Sequence, residues 1–278
     1  MDSLVTTEWL ASSLGQGDLR IADATLLDPS LGRDARAEFE AGHIPGAVFL
    51  DLAELRDTDS PLPNTLPGPA KVASRLGKLG LGDGTRIVLY DDAPWKSAAR
   101  AWWLIRGYGI GSVAILDGGL AKWRAEGRAL ETGPHDAKPR HATPEWNEAR
   151  LRTLAQMKGN LATGAEQVID ARSATRFTGQ EPDPHGAAPG HIPGALSLPY
   201  PRLFEADGTW KRGAALSAAF EAAGVDLNAP MTMTCGSGVT AAVLAFGAHL
   251  LGREASLYDG SWTEWGSDSS TLKATGEA

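Results

Sequence analysis

Cysteine occurs once in the 278 residues, at Cys235, so no internal disulfide can form and no multi-cysteine zinc site can be assembled. Basic residues are outnumbered. Lys and Arg total 26 against 34 Asp and Glu, for a net charge of −8 and a pI near 5.3. No run of Lys or Arg interrupts this balance, and that argues against nucleic acid as a standing partner. Long hydrophobic runs are lacking too. The most apolar stretch, around Ala241 to Leu251, is too short to span a bilayer and is broken by Gly247 and His249, so no membrane association is expected. The opening residues Met1-Asp2-Ser3-Leu4-Val5 carry no basic segment leading into an apolar one. A secretory signal is therefore not expected, and a cytoplasmic protein is. The six histidines are dispersed with no i, i+4 pair, and no bound metal is expected.

What is present is ordinary in amount and unusual in arrangement. Apolar residues make up 42% and charged residues 22%, enough to bury cores without staples, and the length suits about two domains. The chain is written twice. His43-Ile44-Pro45-Gly46-Ala47 returns as His191-Ile192-Pro193-Gly194-Ala195. Before each copy stands an apolar run ending in Asp-Ala, Ile21-Ala22-Asp23-Ala24 and Val168-Ile169-Asp170-Ala171. After each copy comes Asp117-Gly118-Gly119 leading to Trp123, or Asp259-Gly260-Ser261 leading to Trp265. Ordered recurrence at nearly constant offset indicates a duplicated domain. Glu131 to Arg150 is rich in Pro, Gly, His and charge without apolar period, which suits a surface linker. The expected division is 1–135, a linker over 136–150, and 151–278.

Within each half, short β-rich runs alternate with helical patterns. Arg86 to Tyr90 precedes a helical stretch from Ser97 to Ile105, and Ser112 to Leu116 follows. In the second half Met231 to Thr234 reads as a strand, Val239 to Leu251 as a helix and Glu254 to Tyr258 as the next strand. The expected class is α/β, two tandem domains each built on a mainly parallel sheet with helices on both faces. Ligands of such sheets sit at the carboxyl ends of strands, and Cys235 falls at one.

Cys235-Gly236-Ser237-Gly238-Val239-Thr240-Ala241 joins a strand to a helix. Two glycines let the backbone curl with N–H groups inward at a helix N-terminus, a cradle for an anion. Such a cradle favours a charged sulfur and would equally hold a sulfur anion carried on it, which suits a covalent nucleophile. A lone cysteine is more often a small buried hydrophobe, but the loop and its position favour reactivity here. A cysteine-dependent phosphatase needs Arg at the sixth residue after the nucleophile, where this chain has Ala241. A thioredoxin-like pair needs a second cysteine where this chain has Gly238. Gly77 to Gly82 resembles a nucleotide loop in composition, but it precedes a strand instead of following one, and that reading is rejected.

These motifs together resemble the tandem-domain rhodanese/3-mercaptopyruvate sulfurtransferases across nearly the whole chain. The resemblance implies an inactive first domain, a catalytic second domain and a persulfide carried on Cys235. In the first half the matching position is Asp91, which cannot carry one. It also implies a small anionic sulfur donor, a thiol or cyanide acceptor, no organic cofactor, and a monomer or weak dimer. Thiosulfate-preferring relatives carry basic side chains just after the cysteine, whereas Gly236-Ser237 matches those preferring 3-mercaptopyruvate. The expected activity is therefore transfer from 3-mercaptopyruvate, with thiosulfate as the alternative donor. A non-catalytic sulfur-binding or regulatory module is the reading from another class.

Further site residues follow from the resemblance. Arg176 stands where the family binds the donor, and a guanidinium can grip a carboxylate bidentately. Gly236, Ser237, Gly238, Val239 and Thr240 would surround the sulfur. Arg172 ends its strand and suits an internal ion pair at least as well as a donor contact. Two family features are altered. A second arginine is replaced by His185, in Glu181-Pro182-Asp183-Pro184-His185, and a proton-relay histidine by Asn64, in Ser60-Pro61-Leu62-Pro63-Asn64. The acid that accompanies the relay also has no match, with Ala53 in its place. His43 and His191 recur in both halves and read as turn histidines. Most tryptophans read as core, with Trp95 and Trp262 as candidates for walling a site mouth.

Overall fold

The computed structural model describes residues 1–135 and 137–277; residues 136 and 278, which bound the expected linker and second domain, lie outside them. Two compact units emerge. Unit 1 comprises Met1–Thr58, Leu66–Asn147 and Ala206–Thr209, and unit 2 comprises Asp59–Thr65, Glu148–Glu205 and Trp210–Ala278.

Unit 1 runs β1 (Leu4–Val5), α1 (Thr7–Ser13), β2 (Leu19–Asp23), α2 (Ala35–Ala41), β3 (Ala47–Phe49), α3 (Pro69–Lys78), β4 (Arg86–Tyr90), α4 (Ala98–Gly107), β5 (Ser112–Leu116) and α5 (Gly119–Ala125). Unit 2 repeats the series as β6 (Leu151–Arg152), α6 (Leu154–Thr163), β7 (Gln167–Asp170), α7 (Ala174–Phe177), β8 (Leu196–Ser197), α8 (Gly213–Glu221), β9 (Met231–Thr234), α9 (Val239–Leu250), β10 (Ser256–Tyr258) and α10 (Ser261–Ser267). The sheet orders are β1-β5-β4-β2-β3 and β6-β10-β9-β7-β8, the same permutation twice. Every pair in them is parallel.

The sequence patterns explain these elements. The inner strands are buried on both faces: β4 reads as an apolar run from Ile87 to Tyr90, whereas β9 alternates Met and Thr and buries all four residues. Ile21, Val88, Tyr90, Ala114 and Leu116 pack with Leu10 of α1, Phe39 of α2 and Trp123 of α5, while α4 covers the opposite face of β4 and β5. In unit 2 Met157, Phe177 and Trp265 cover one face, and α9 packs on β9 and β10 from the other. Thr153 and Gln156 cap α6 reciprocally, and Gly164 ends it in the left-handed conformation. Among the described residues no helix is long and apolar enough to cross a membrane, and no cluster of His, Cys, Asp or Glu could hold a metal.

The stretch expected to be a linker is packed, over residues 137–147, on unit 1. Arg140 N–H donates to the Gly77 carbonyl and Asp83 N–H to the His141 carbonyl, and Trp146 sits edge-on to Trp103 with ring centroids 5.0 Å apart. An ideal Cβ on Gly82 would meet the His141 carbonyl at 2.2 Å. The glycine-rich Gly77–Gly82 segment is thus where a neighbouring strand of chain passes close, with no room for side chains.

Both His-Ile-Pro-Gly-Ala turns are built alike. His43 and His191 direct Nδ1 at the carbonyls of Phe39 and Phe177, 2.8 Å each, and stack on those rings. Gly46 and Gly194 both have φ +77, a left-handed turn conformation that glycine adopts freely.

Candidate active site

Parallel β9 delivers Cys235 to the carboxyl edge of its sheet, and α9 begins four residues later at Val239. Gly238 makes that turn with φ +83, and its N–H donates to Cys235 Sγ at 3.1 Å. The sulfur therefore has an oriented donor and the positive end of a twelve-residue helix beside it, and both stabilise negative charge on it. Cys235 is buried, as are Gly236, Gly238 and Val239, while Ser237 and Thr240 are half-buried.

The loop is held from behind by α10. Trp262 N–H donates to the Cys235 carbonyl (2.9 Å), and Thr263 donates to the Gly236 carbonyl from both its N–H (3.0 Å) and its hydroxyl (2.8 Å). Ser261 bonds the Tyr258 carbonyl and accepts the Cys235 N–H at 3.4 Å. In unit 1 the same bracket recurs, with Leu120 N–H on the Asp91 carbonyl at 3.1 Å. This is the function of the repeated Asp-Gly-x element, whose recurrence was visible in the sequence but whose target was not.

Arg176 reaches the loop from α7. An ideal Cβ on Gly236 would stand 3.0 Å from Arg176 Nη2 and 3.6 Å from Nη1, so the guanidinium lies against the residue following Cys235. Nη2 is bonded to Asp183 Oδ2 at 2.7 Å, and Nε is buried without a partner. Arg172 points elsewhere. It pairs with Asp170 at 2.7 Å, donates to the Gly190 carbonyl at 2.8 Å and stacks over Trp262 at 4.6 Å. That buried ion pair braces the domain. It also places Trp262 in the core, with its indole N–H on the Ala188 carbonyl, so Trp262 does not line a mouth. Trp95 belongs to unit 1 and is half-buried.

Asn64 lies in the segment Asp59–Thr65, which clusters with unit 2, and its Nδ2 donates to Ser237 Oγ at 3.1 Å. The side chain that replaces the family's relay histidine thus meets the loop serine. As an amide it exchanges no proton at neutral pH; it occupies a lone pair of the hydroxyl and leaves the hydroxyl proton to be donated elsewhere. His185 is exposed, and its backbone N–H is bonded to Asp183 Oδ1 at 2.9 Å. Of the residues expected at the site, the structure brings Cys235, Gly236, Ser237, Gly238 and Arg176 together, with Val239 and Thr240 opening the helix behind them. Ser261, Thr263 and Asp183 were not anticipated. Only the repeat pointed to the first, and nothing local pointed to the last.

At the equivalent strand end in unit 1, Asp91 accepts the Ala98 N–H at the start of α4 (2.7 Å) and the Ala93 N–H (3.2 Å). Burial pushes its carboxyl up to about 6. A carboxylate thus fills the place that sulfur occupies in unit 2.

The chain is similar to known proteins over nearly its whole length. The rhodanese-like domain model matches residues 6–126 and again 153–268. Human 3-mercaptopyruvate sulfurtransferase is 40% identical over 272 residues, covering 95% of this chain and 91% of that protein. Bovine thiosulfate sulfurtransferase is 38% identical over 272 residues with the same coverage of 95% and 91%. The crystal structure of SseA from Escherichia coli, one of the 3-mercaptopyruvate sulfotransferases, superposes with a TM-score of 0.87 at 35% identity, covering 94% of this chain and 99% of that one.

Proposed function

This chain belongs to the tandem rhodanese-like sulfurtransferases, and on that footing we propose that it moves sulfur from 3-mercaptopyruvate to a thiol or cyanide acceptor through a persulfide on Cys235. The observation carrying this reading is the sulfur atom of Cys235 set at a parallel strand end, beneath an N–H of Gly238 at the start of α9. Cys235 thiolate attacks the sulfur of the donor. An S–S bond forms, the donor's C–S bond breaks with its electron pair going to carbon, and the thiol proton ends on that carbon to release pyruvate. The persulfide anion left on Cys235 is stabilised by the same N–H donor and helix end. A thiolate or cyanide then takes the outer sulfur, and Cys235 returns as thiolate. Arg176 anchors the donor's carboxylate, and Ser237, its lone pair engaged by Asn64, donates its proton to the donor or to the persulfide.

Thiosulfate is the second reading, favoured by the similarity to the bovine thiosulfate enzyme. With that donor the S–S bond of thiosulfate breaks and sulfite leaves. The neutral Gly236-Ser237 pair argues for the mono-anionic donor over the dianion. Intact-protein mass spectrometry after incubation with each donor tests the reading. The expected result is the added mass of one sulfur atom, lost on adding cyanide and absent in Cys235→Ser. No added mass with either donor would sink it.

A further inference from the structure

Asp183 takes no part in the chemistry just described, yet it is the residue most firmly attached to Arg176. Its side chain is only 2% exposed, and Oδ2 lies 2.7 Å from Arg176 Nη2. Oδ1 accepts the His185 N–H at 2.9 Å, so the carboxylate is clamped from both oxygens and cannot swing away. The nitrogen it holds is the one nearest Gly236. The negative charge therefore stands a single guanidinium nitrogen away from the Cys235 loop. The other acid of this stretch, Glu181, is exposed and bonded to the Thr175 hydroxyl at 2.7 Å. The loop itself offers no cation, since the two residues after Cys235 are Gly236 and Ser237.

We infer that Asp183 is a positioning and specificity residue: it holds the guanidinium of Arg176 against the Cys235 loop while cancelling its charge, so that the site accepts sulfur donors bearing one negative charge and discriminates against dianions. The inference rests on the reading of Arg176 as the donor's anchor. A single carboxylate is bound by the geometry of the guanidinium's remaining N–H edge, including the buried Nε, which has no other partner. A second negative charge on the donor meets Asp183, and the Gly236-Ser237 pair after Cys235 offers no side-chain cation to offset it. Discrimination by an unpaired like charge is a recurrent route to specificity. For unit charges about 6 Å apart, partly screened, the effect is on the order of ten-fold.

The test is kcat/KM of the full chain for 3-mercaptopyruvate and for thiosulfate, each with cyanide as acceptor. Asp183→Asn, nearly isosteric and uncharged, should raise the thiosulfate-to-mercaptopyruvate ratio about ten-fold. Asp183→Ser, short enough to keep the turn bond to the His185 N–H, should raise it likewise, and this variant decides the matter if the asparagine form does not fold. Asp183→Glu keeps the charge and should leave the ratio within about two-fold of the parent. A merely structural role would depress both donors together and leave the ratio unmoved. An unmoved or falling ratio in the uncharged variants, or an equal rise in Asp183→Glu, overturns the inference. Arg176→Ala separates this from the reading beneath it. A higher KM for both donors upholds Arg176 as anchor whatever Asp183 does, whereas an unchanged KM removes the anchor and this inference with it.

Discussion

Two arginines four residues apart show how much a side chain's surroundings decide. Arg172 and Asp170 are 2% and 1% exposed, and the guanidinium also serves the Gly190 carbonyl and the Trp262 ring. Arg172→Ala would leave a buried carboxylate without its partner, which costs about 3–5 kcal/mol. A thermal or urea unfolding curve should show that loss. Arg176 is 21% exposed against 2% for Arg172, so water can enter the volume it vacates and reach the Asp183 carboxylate. Arg176→Ala should therefore lose less stability and instead raise KM for the donor about ten-fold or more, with kcat changed less. Equal unfolding losses in the two variants would contradict this division of roles.

Elements matter here as holders of backbone. The first turn of α10 supplies the hydrogen bonds on the Cys235 and Gly236 carbonyls, and α9 supplies the N–H facing sulfur. The loop between them has room for a bare backbone on the side of Arg176. A methyl group at Gly236 would come within 3.0 Å of Nη2, the far end of a flexible side chain. Gly236→Ala should displace the guanidinium by a few tenths of an ångström at a cost below about 1 kcal/mol in stability, yet raise KM several-fold, because donor alignment tolerates little error. Steady-state kinetics beside a melting curve check both halves of the expectation.

At the scale of the whole chain, duplication has left two units of one fold that differ in the residue at the same strand end. Asp91 stands where unit 2 has Cys235, buried, with its carboxyl raised from 3.8 to about 6 by desolvation. Asp23, at the end of β2, is raised to about 6 for the same reason. A carboxyl whose folded value exceeds its unfolded one binds protons more tightly in the folded state. Its contribution is then fully present below about pH 4 and is lost as pH rises through about 6. Asp91→Asn should match the parent in stability near pH 4 and exceed it above pH 6 by about 2–3 kcal/mol, by urea denaturation across that range. A difference independent of pH would contradict the burial argument.

The sequence by itself determined what depends on local pattern and on chemical identity. Repeated motifs in order revealed the duplication, β-rich runs alternating with helical spacing revealed parallel α/β units, and one cysteine opening a Gly-Ser-Gly loop at a strand end marked the candidate site. Arg86–Tyr90, Ser112–Leu116 and Met231–Thr234 are strands as read, because short β-rich runs carry their signature in their own residues. The strand read from Glu254 begins at Ser256, since where pairing starts depends on the neighbouring β9. Tertiary structure alone decided the rest. It gave Arg176 a buried acid, brought Asn64 to Ser237 across 173 residues of chain, and laid residues 137–147 on unit 1. Those facts are distances between residues that no periodicity links, and packing density is what sets them.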